Sequence, residues 1–186
     1  MGLISDIKTI KEKDPAARHW LEIILTYNGM HAIWMYRLTH LLWKLRLKML
    51  AKILSSLTRL LTGVEIHPAA RIGKNVVIDH GTGVVIGETA IIAEGVLIYH
   101  GVTLGGTGNE RGEKRHPTIC TGAMIAAGAK ILGDIKVGAY SKVGANAVVL
   151  KDVPDYSTAV GIPARIIPNQ ASSNQVCSLF TKEKIG

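Results

Sequence analysis

The chain has 186 residues, of which 47% are hydrophobic, and it carries a formal net charge of +8. This length and apolar content are enough for a folded core and exclude a disordered or fibrous protein. Residues 1–65 carry ten basic and five acidic side chains, and an excess of this size is only weak support for an anionic partner. We therefore predict that the protein binds no nucleic acid.

The cysteines and the N-terminus indicate the compartment. Cys120 and Cys177 are the only cysteines, and the sequence has no CxxC pair. This pattern excludes a disulfide scaffold and a zinc ribbon, and it fits a reducing compartment. The first fifteen residues mix charged and apolar side chains without the apolar run of a signal peptide. We predict a cytoplasmic protein.

Residues 1–63 are predicted to form an α-helical domain. Asp14-Pro15 is typical of a helix start with proline at the first helical position. Asn28-Gly29 interrupts the pattern. One long amphipathic stretch then runs from Ile33 to Leu61, and Gly63 is expected to end it, because glycine is the usual residue after a helix.

The apolar stretch between His31 and Leu61 raises the question of a membrane. Six basic residues interrupt it, which is too many for a spanning helix. A basic amphipathic helix lying on a membrane surface is the alternative. We favour helices that pack on each other and on a partner subunit, and we predict no membrane association.

Residues 64–168 are predicted to form one domain, because an aliphatic side chain recurs every six positions between Ile66 and Val149, apart from two interruptions. Neither a helix, with a period of 3.6, nor a simple strand, with a period of 2, has this spacing. A period of six is the signature of a parallel β-helix, in which each unit adds one short strand to a stacked prism. The repeated positions are Ile66, Ile72, Ile78, Ile86, Ile92, Ile98, Leu104, Ile119, Ile125, Ile131, Val137, Val143 and Val149.

Two extra residues interrupt the repeat between Ile78 and Ile86, and His80 lies in this interval. Imidazole is the side chain whose ordinary pKa lies near neutrality, and the flanking glycines would let a ligand approach closely. His80 is therefore a candidate for proton transfer, and an outward-facing solvated histidine is the alternative. His100 has the same place in its own unit, three units later, so the two rings are predicted to be neighbours in adjacent coils.

A longer interruption lies between Leu104 and Ile119, where residues 105–117 are polar and rich in glycine. Stacked coils cannot bury such a segment, so it should form a protruding loop. Arg115 and His116 on this loop could hold a carboxylate, because arginine offers a forked pair of donors; a merely solvated loop is the alternative. Residues 169–186 are polar and aperiodic, and we expect a flexible tail.

Five segments of the chain together resemble the serine O-acetyltransferases. Hexapeptide repeats are shared by many acyltransferases, and the combination with DHGTG, TLGGTG and RHP is specific. The segments are EIHPAA (65–70), IDHGTGVVIGETA (78–90), VTLGGTG (102–108), RHP (115–117) and GIPAR (161–165). The resemblance implies an α+β protein, with a left-handed parallel β-helix behind an α-helical N-terminal domain.

The resemblance also implies an activity, the transfer of acetyl from acetyl-CoA to the hydroxyl of L-serine in cysteine synthesis. By position, His80 matches the catalytic base. Glu65 matches the carboxylate that orients it, which is usually aspartate in the family. The residues that match the serine-binding set are Asp14, Asp79, Arg115 and His116. Those that match the acetyl-CoA groove are Gly106, Ala127, Lys142 and Ala145.

The resemblance further implies a homotrimer, alone or paired into a hexamer. Family members that bind O-acetylserine sulfhydrylase typically end in isoleucine, whereas this chain ends in Ile185-Gly186, which argues against that complex. No metal is expected, because zinc enzymes of similar fold use two histidines five residues apart and this chain has no such pair. The alternatives are an acetyltransferase for a sugar or antibiotic hydroxyl, and a non-catalytic trimeric assembly module.

Overall fold

The computed structural model describes residues 3–108 and 113–168. Within these residues four helices come first, namely α1 (Leu3–Lys13), α2 (Trp20–Thr26), α3 (Asn28–Lys44) and α4 (Lys48–Thr62). Seven strands precede the protruding segment: β1 (Glu65–Ile66), β2 (Arg71–Ile72), β3 (Val77–Asp79), β4 (Val85–Ile86), β5 (Ile91–Ile92), β6 (Leu97–Tyr99) and β7 (Thr103–Gly105). Eight follow it: β8 (Thr118–Ile119), β9 (Met124–Ile125), β10 (Lys130–Leu132), β11 (Lys136–Val137), β12 (Lys142–Val143), β13 (Val148–Val149), β14 (Thr158–Val160) and β15 (Arg165–Ile167).

The strands form three sheets because each strand up to β13 pairs with the strand three places away; β14 pairs with β12 instead. Sheet A contains β1, β4, β7, β10 and β13, and sheet B contains β2, β5, β8 and β11. Sheet C contains β3, β6, β9, β12 and β14 in parallel, with β15 added antiparallel to β14. Three parallel sheets visited in turn are the three faces of a β-helix prism. The predicted class, helices followed by a parallel β-helix, is confirmed.

The repeated aliphatic residues form the interior of this prism. Twelve of the thirteen are buried, and the exception, Ile72, is partly buried and packs against the same core. Each six-residue unit supplies one apolar side chain to a continuous column, which is how stacked coils bury a core that one unit could not. The hexapeptide interpretation of the sequence is therefore confirmed.

The predicted helix start at Asp14-Pro15 is wrong. The carboxylate Oδ1 of Asp14 accepts a hydrogen bond from the backbone N–H of Ala16 at 2.8 Å, so the chain makes a side-chain-capped turn here. Helix α2 begins at Trp20, and His19 caps it by accepting from the N–H of Leu21 at 3.2 Å. An aspartate that binds its own backbone competes with the helix, and here the turn prevails.

The single amphipathic stretch predicted from Ile33 to Leu61 is divided into two helices. Helix α3 ends at Lys44, Arg46 adopts a left-handed backbone with φ of 65°, and α4 starts at Lys48. Neither glycine nor proline marks this turn, so the break had no local signal. It lets α4 fold back on α3. The end of α4 is as predicted: Gly63 has φ of 73°, and its N–H donates to the carbonyl of Arg59.

Helix α3 attaches the helices to the prism. The hydroxyl of Tyr36 donates to the carbonyl oxygen of Ala70 at 2.6 Å and accepts from the N–H of Ile72 at 3.3 Å. On its other side, Arg37 makes two hydrogen bonds to the carboxylate of Asp6, which joins α3 to α1. Helix α3 is therefore hydrogen-bonded both to the prism and to α1. The predicted tail, residues 169–186, lies outside the described residues.

Candidate functional site

One edge of the prism, where sheet C turns into sheet A, carries four of the singled-out residues in register. Ile78 pairs with Ile98, Ile98 with Ile125, and Ile125 with Val143. The residues two positions after Ile78, Ile98, Ile125 and Val143 lie in the turns that follow these strands, and they form a second column. It contains His80, His100, Ala127 and Ala145, and we call it the His80 edge.

His80 is the exposed end of this column. Its backbone is left-handed with φ of 59°, and 73% of its side-chain surface is accessible. A left-handed residue other than glycine costs about 1–2 kcal/mol. Its turn also contains Gly81 and Gly83 with positive φ, whereas the equivalent turn below contains Gly101 alone. The two extra residues therefore place a histidine in a strained, outward-facing turn.

The predicted neighbourhood of His80 and His100 is confirmed. Their ring centroids are 5.7 Å apart, and the rings meet edge to face at 88°. The carboxylate of Asp79 lies 3.9 Å from Nε2 of His80. His80 thus has a second imidazole in the coil below it and a carboxylate on the preceding residue, at the end of β3.

Asp14 is held close to this edge by Tyr27, which the sequence did not single out. The hydroxyl of Tyr27 donates to Oδ2 of Asp14 at 2.5 Å. Burial, this hydrogen bond and the negative charges of Asp14, Glu22 and Asp79 together raise the pKa of Tyr27 above its usual 10. Tyr27 therefore stays a hydrogen-bond donor, and it fixes one oxygen of Asp14 while the turn at Ala16 fixes the other.

Arg115 and His116 lie at a different edge, where sheet A turns into sheet B. The backbone N–H groups of both residues donate to the hydroxyl oxygen of Thr89, at 3.0 Å and 3.1 Å. Nδ1 of His116 lies 2.9 Å from the same hydroxyl and 3.2 Å from the backbone N of Thr89. We call this region, defined by Gly87, Thr89, Gly106, Arg115 and His116, the His116 edge.

The glycines of the His116 edge leave room for the imidazole. A Cβ on Gly87 would lie 2.0 Å from both Cδ2 and Nε2 of His116. A Cβ on Gly106 would lie 3.1 Å from Cγ of Arg115 and 3.2 Å from Nε2 of His116. Distances below 3 Å are not tolerated between such atoms, so Gly87 is required for the observed position of the ring.

The electrostatic surroundings of the two residues differ. His116 is 7% exposed, and its burial, followed by the charge of Arg115, lowers the pKa of its imidazole below the ordinary 6.5. The guanidinium of Arg115 is partly exposed and lies 3.8 Å from the carboxylate of Glu88. The His116 edge therefore presents a neutral imidazole beside a cation.

Glu65 is paired with Arg59 of helix α4. Its carboxylate accepts a hydrogen bond from the Arg59 guanidinium at 2.8 Å, and both side chains are about half exposed. The backbone of Glu65 donates to the carbonyl of Val84, so strand β1 runs beside the turn that carries His80. Its role in orienting His80 stays a prediction.

The residues predicted to bind acetyl-CoA are divided as well. Ala127 and Ala145 lie below His80 and His100 on the His80 edge, where their small side chains leave room for a ligand along the surface. Lys142 is exposed on β12 in the adjoining sheet C. Gly106, in contrast, belongs to the His116 edge. Three of the four residues thus continue the surface that starts at His80.

The predicted site residues therefore form two groups on one chain. Asp79 and His80 occupy one edge of the prism, and Arg115 and His116 occupy the next, with a strand of sheet A between them. Asp14 lies outside the prism, in the turn after α1, where it binds Tyr27. Sequence reasoning missed Tyr27 and Thr89, whose partners are 13 and up to 27 residues away. Thr89 lies in the segment 78–90 that carries the resemblance, but that segment did not indicate its contact with His116, and Tyr27 lies in none of the five segments.

The described residues show neither a cluster of metal ligands nor a membrane-spanning helix. Among residues 3–108 and 113–168, no three His, Cys, Asp or Glu side chains are grouped so that they could hold a metal ion. No helix in the described part of the chain is both long and apolar enough to cross a membrane.

The β-helix and its repeats define a hexapeptide transferase. Residues 116–151 match the family described as bacterial transferase hexapeptide (six repeats). A serine acetyltransferase of Bacillus pumilus is 58% identical over 165 residues, which are 89% of this chain and 76% of that protein. The chain belongs to the serine acetyltransferase family.

Solved structures agree with this assignment. A serine acetyltransferase of Neisseria gonorrhoeae superposes with a TM-score of 0.88 at 44% identity, covering 92% of this chain and 66% of that one. A serine acetyltransferase in complex with CoA superposes with a TM-score of 0.83 at 50% identity, covering 89% of this chain and 68% of that one. The chain thus spans about two thirds of the length of these solved proteins.

Proposed function

We propose that this chain transfers the acetyl group of acetyl-CoA to the hydroxyl of L-serine, which yields O-acetyl-L-serine and CoA. The observation that carries the proposal is the identity of 58% to a serine acetyltransferase over most of the chain. The solved relative in complex with CoA supports the acyl donor. We assign the helical domain to residues 1–63 and the catalytic β-helix to residues 64–168, and a cytoplasmic location fits this biosynthetic reaction.

His80 is the general base in the proposed reaction. Its ring is exposed, so an incoming hydroxyl can reach it. As His80 takes the proton of the serine hydroxyl, the oxygen forms a bond to the thioester carbonyl carbon, and the carbon–sulfur bond then breaks. The proton on His80 passes to the departing CoA thiolate. Proton transfer of this kind contributes roughly 10²–10⁴-fold to the rate. Glu65 would orient the ring by accepting from its other nitrogen.

Charge complementarity assigns the remaining residues to the two ends of serine. Asp79 lies beside His80, and Asp14 is held by Tyr27, whose hydroxyl is influenced by both carboxylates; two carboxylates suit the ammonium group. Arg115, with His116 beside it, suits the carboxylate, because a guanidinium binds carboxylates with two parallel donors. Acetyl-CoA would lie along the His80 edge over Ala127 and Ala145, with Lys142 near a phosphate and the backbone of Gly106 contributing from a neighbouring edge.

We propose further that the site is completed between copies of the chain in a homotrimer. The two groups of substrate-binding residues lie on different edges of one prism, so a second copy is needed to bring Arg115 to His80. Helix α4 supports such an assembly, because its small and polar side buries Ala51, Thr58 and Thr62 while its aliphatic side is exposed. The exposed residues are Met49, Leu50, Ile53, Leu57, Leu60 and Leu61.

Placing charges on this aliphatic side should dissociate the assembly. We expect wild-type protein to sediment with the mass of three chains, or of six if trimers pair, and a Leu57→Asp/Leu61→Asp variant to sediment with a smaller mass and little serine turnover. Leu25→Asp is the control, because Leu25 is 73% exposed on α2, away from α4. A wild-type protein that is monomeric at assay concentrations and fully active would refute the shared site.

A substrate panel tests the reaction itself. Wild-type protein is incubated with acetyl-CoA and, in turn, L-serine, L-homoserine and a galactoside, and the released CoA thiol is measured. We expect release with serine to exceed release with homoserine at least about 10-fold, because a misplaced methylene costs roughly 1–3 kcal/mol. Release with the galactoside alone would instead indicate a sugar acetyltransferase. No release with any acceptor, and no acetyl-CoA binding by calorimetry, would indicate an assembly module.

A further inference from the structure

We propose that Thr89 is a positioning residue that holds His116 as its Nε2–H tautomer, so that Nε2 donates a hydrogen bond to the carboxylate of the acceptor amino acid. The role in substrate binding rests on the proposed function, whereas the tautomer is a property of the free protein. Thr89 touches neither substrate group; it acts through the ring and through the backbone of the Arg115–His116 segment.

The tautomer follows from the partners of Nδ1. The backbone N–H of Thr89 lies 3.2 Å from Nδ1 of His116 and can only donate. Nδ1 must therefore carry a lone pair. A neutral imidazole has one proton, so that proton is on Nε2. The burial of the ring and the adjacent Arg115 lower the pKa of His116, which agrees with a ring that is neutral near pH 7.

The hydroxyl of Thr89 completes the arrangement. Its oxygen accepts from the N–H of Arg115 at 3.0 Å and from the N–H of His116 at 3.1 Å. A hydroxyl has two acceptor positions and one hydrogen, so that hydrogen is left to donate to Nδ1, 2.9 Å away. All three hydrogen-bonding positions of one side chain thus hold the same dipeptide.

The remaining ring nitrogen, Nε2, is the atom that we assign to the substrate carboxylate. Nε2 of His116 lies between the backbones of Gly87 and Gly106, at 2.0 Å and 3.2 Å from where their Cβ atoms would be. The guanidinium of Arg115 is on the adjacent residue, held 3.8 Å from Glu88. A hydrogen-bond donor beside a cation is suited to bind a carboxylate oxygen. The His116 ring is not suited to act as a base, because its acceptor nitrogen, Nδ1, is already engaged by Thr89.

Kinetics of two matched variants test the positioning role. Thr89→Val keeps the shape and the backbone N–H but removes the hydroxyl, and Thr89→Ser restores the hydroxyl. We expect Thr89→Val to raise KM for serine about 10-fold or more, as loss of a hydrogen bond to a charged group would. KM for acetyl-CoA should stay within about 2-fold, and Thr89→Ser should return KM for serine to near the wild-type value. An unchanged KM for serine in a folded Thr89→Val protein would overturn the proposal.

Nuclear magnetic resonance tests the tautomer without any turnover. Ring nitrogens of ¹⁵N-histidine-labelled wild-type protein are measured at pH 7.5, and the His116 signals are identified by their loss in His116→Gln. We expect a protonated Nε2 and an unprotonated Nδ1. A ring protonated at Nδ1 would overturn the proposal even if serine is the substrate. The expected pattern would stand even if serine were not turned over, so failure of the proposed function is distinguishable.

Discussion

Replacement of His80 by alanine is expected to lower kcat for serine acetylation by roughly 10²–10⁴-fold, the contribution of a general base. The fold should be retained, because the side chain is 73% exposed and contributes little to packing. Alanine inherits the same left-handed backbone, so the strain of the turn changes little. The measurement is release of CoA thiol at saturating substrates, together with thermal melting of both proteins.

His100→Ala is the matched control for this experiment. His100 is the same residue type on the same edge, one coil below, and its ring is 5.7 Å from that of His80. We expect its removal to cost less than about 10-fold, because His100 supports the neighbouring ring and takes no proton from serine. Normal turnover by His80→Ala would remove His80 from the mechanism. Equal losses in both variants would mean that the two imidazoles act as a pair.

Gly29→Ala is expected to destabilise the protein strongly, although alanine normally favours a helix. A Cβ at this position would lie 1.9 Å from the carbonyl oxygen of Ile78 and 2.9 Å from its Cβ, so helix α3 and strand β3 would have to separate. Overpacking of this kind costs typically 1–3 kcal/mol and occasionally more. In an unobstructed helix the same change would instead stabilise by roughly 0.5–1 kcal/mol. Denaturant unfolding of both proteins measures the difference.

Asn28→Ala provides the control, because Asn28 is the adjacent residue in the same helix and is exposed. We expect it to leave the free energy of unfolding within about 0.5 kcal/mol of wild type. Gly29→Ala should also reduce serine turnover, since Gly29 lies against Gly81 in the turn that carries His80. A Gly29→Ala protein as stable as wild type would mean that α3 is free to shift along the prism.

Local patterns predicted the prism well because its order is local. Each coil repeats one rule, an inward aliphatic every six residues, so counting positions was enough to place His80 over His100. The same counting failed in the helical region. Asp14-Pro15 satisfied the rule for a helix start, yet the Asp14 side chain bound the N–H of Ala16 and made a turn. The left-handed turn at Arg46 had no glycine or proline to indicate it.

The candidate site was predicted in its parts and not in its arrangement. Resemblance indicated His80, Asp79, Arg115 and His116 residue by residue, since each belongs to a short motif. It could not indicate that they lie on two edges of one chain, because that depends on where each coil turns. The role of Tyr27 could not be predicted either. Tyr27 lies between α2 and α3, and it contacts Asp14 in the turn after α1.

By itself the sequence determined the fold class, the family and the interruptions of the repeat where chemistry is expected. Each of these depends on residues that are close together in the chain. Tertiary structure alone decided that Thr89 binds Nδ1 of His116 and that Gly87 makes room for its ring. It also decided that aliphatic residues of α4 face outward. These are contacts between segments distant in the chain, and their partners are selected by the packing of coils and helices, which no local pattern records.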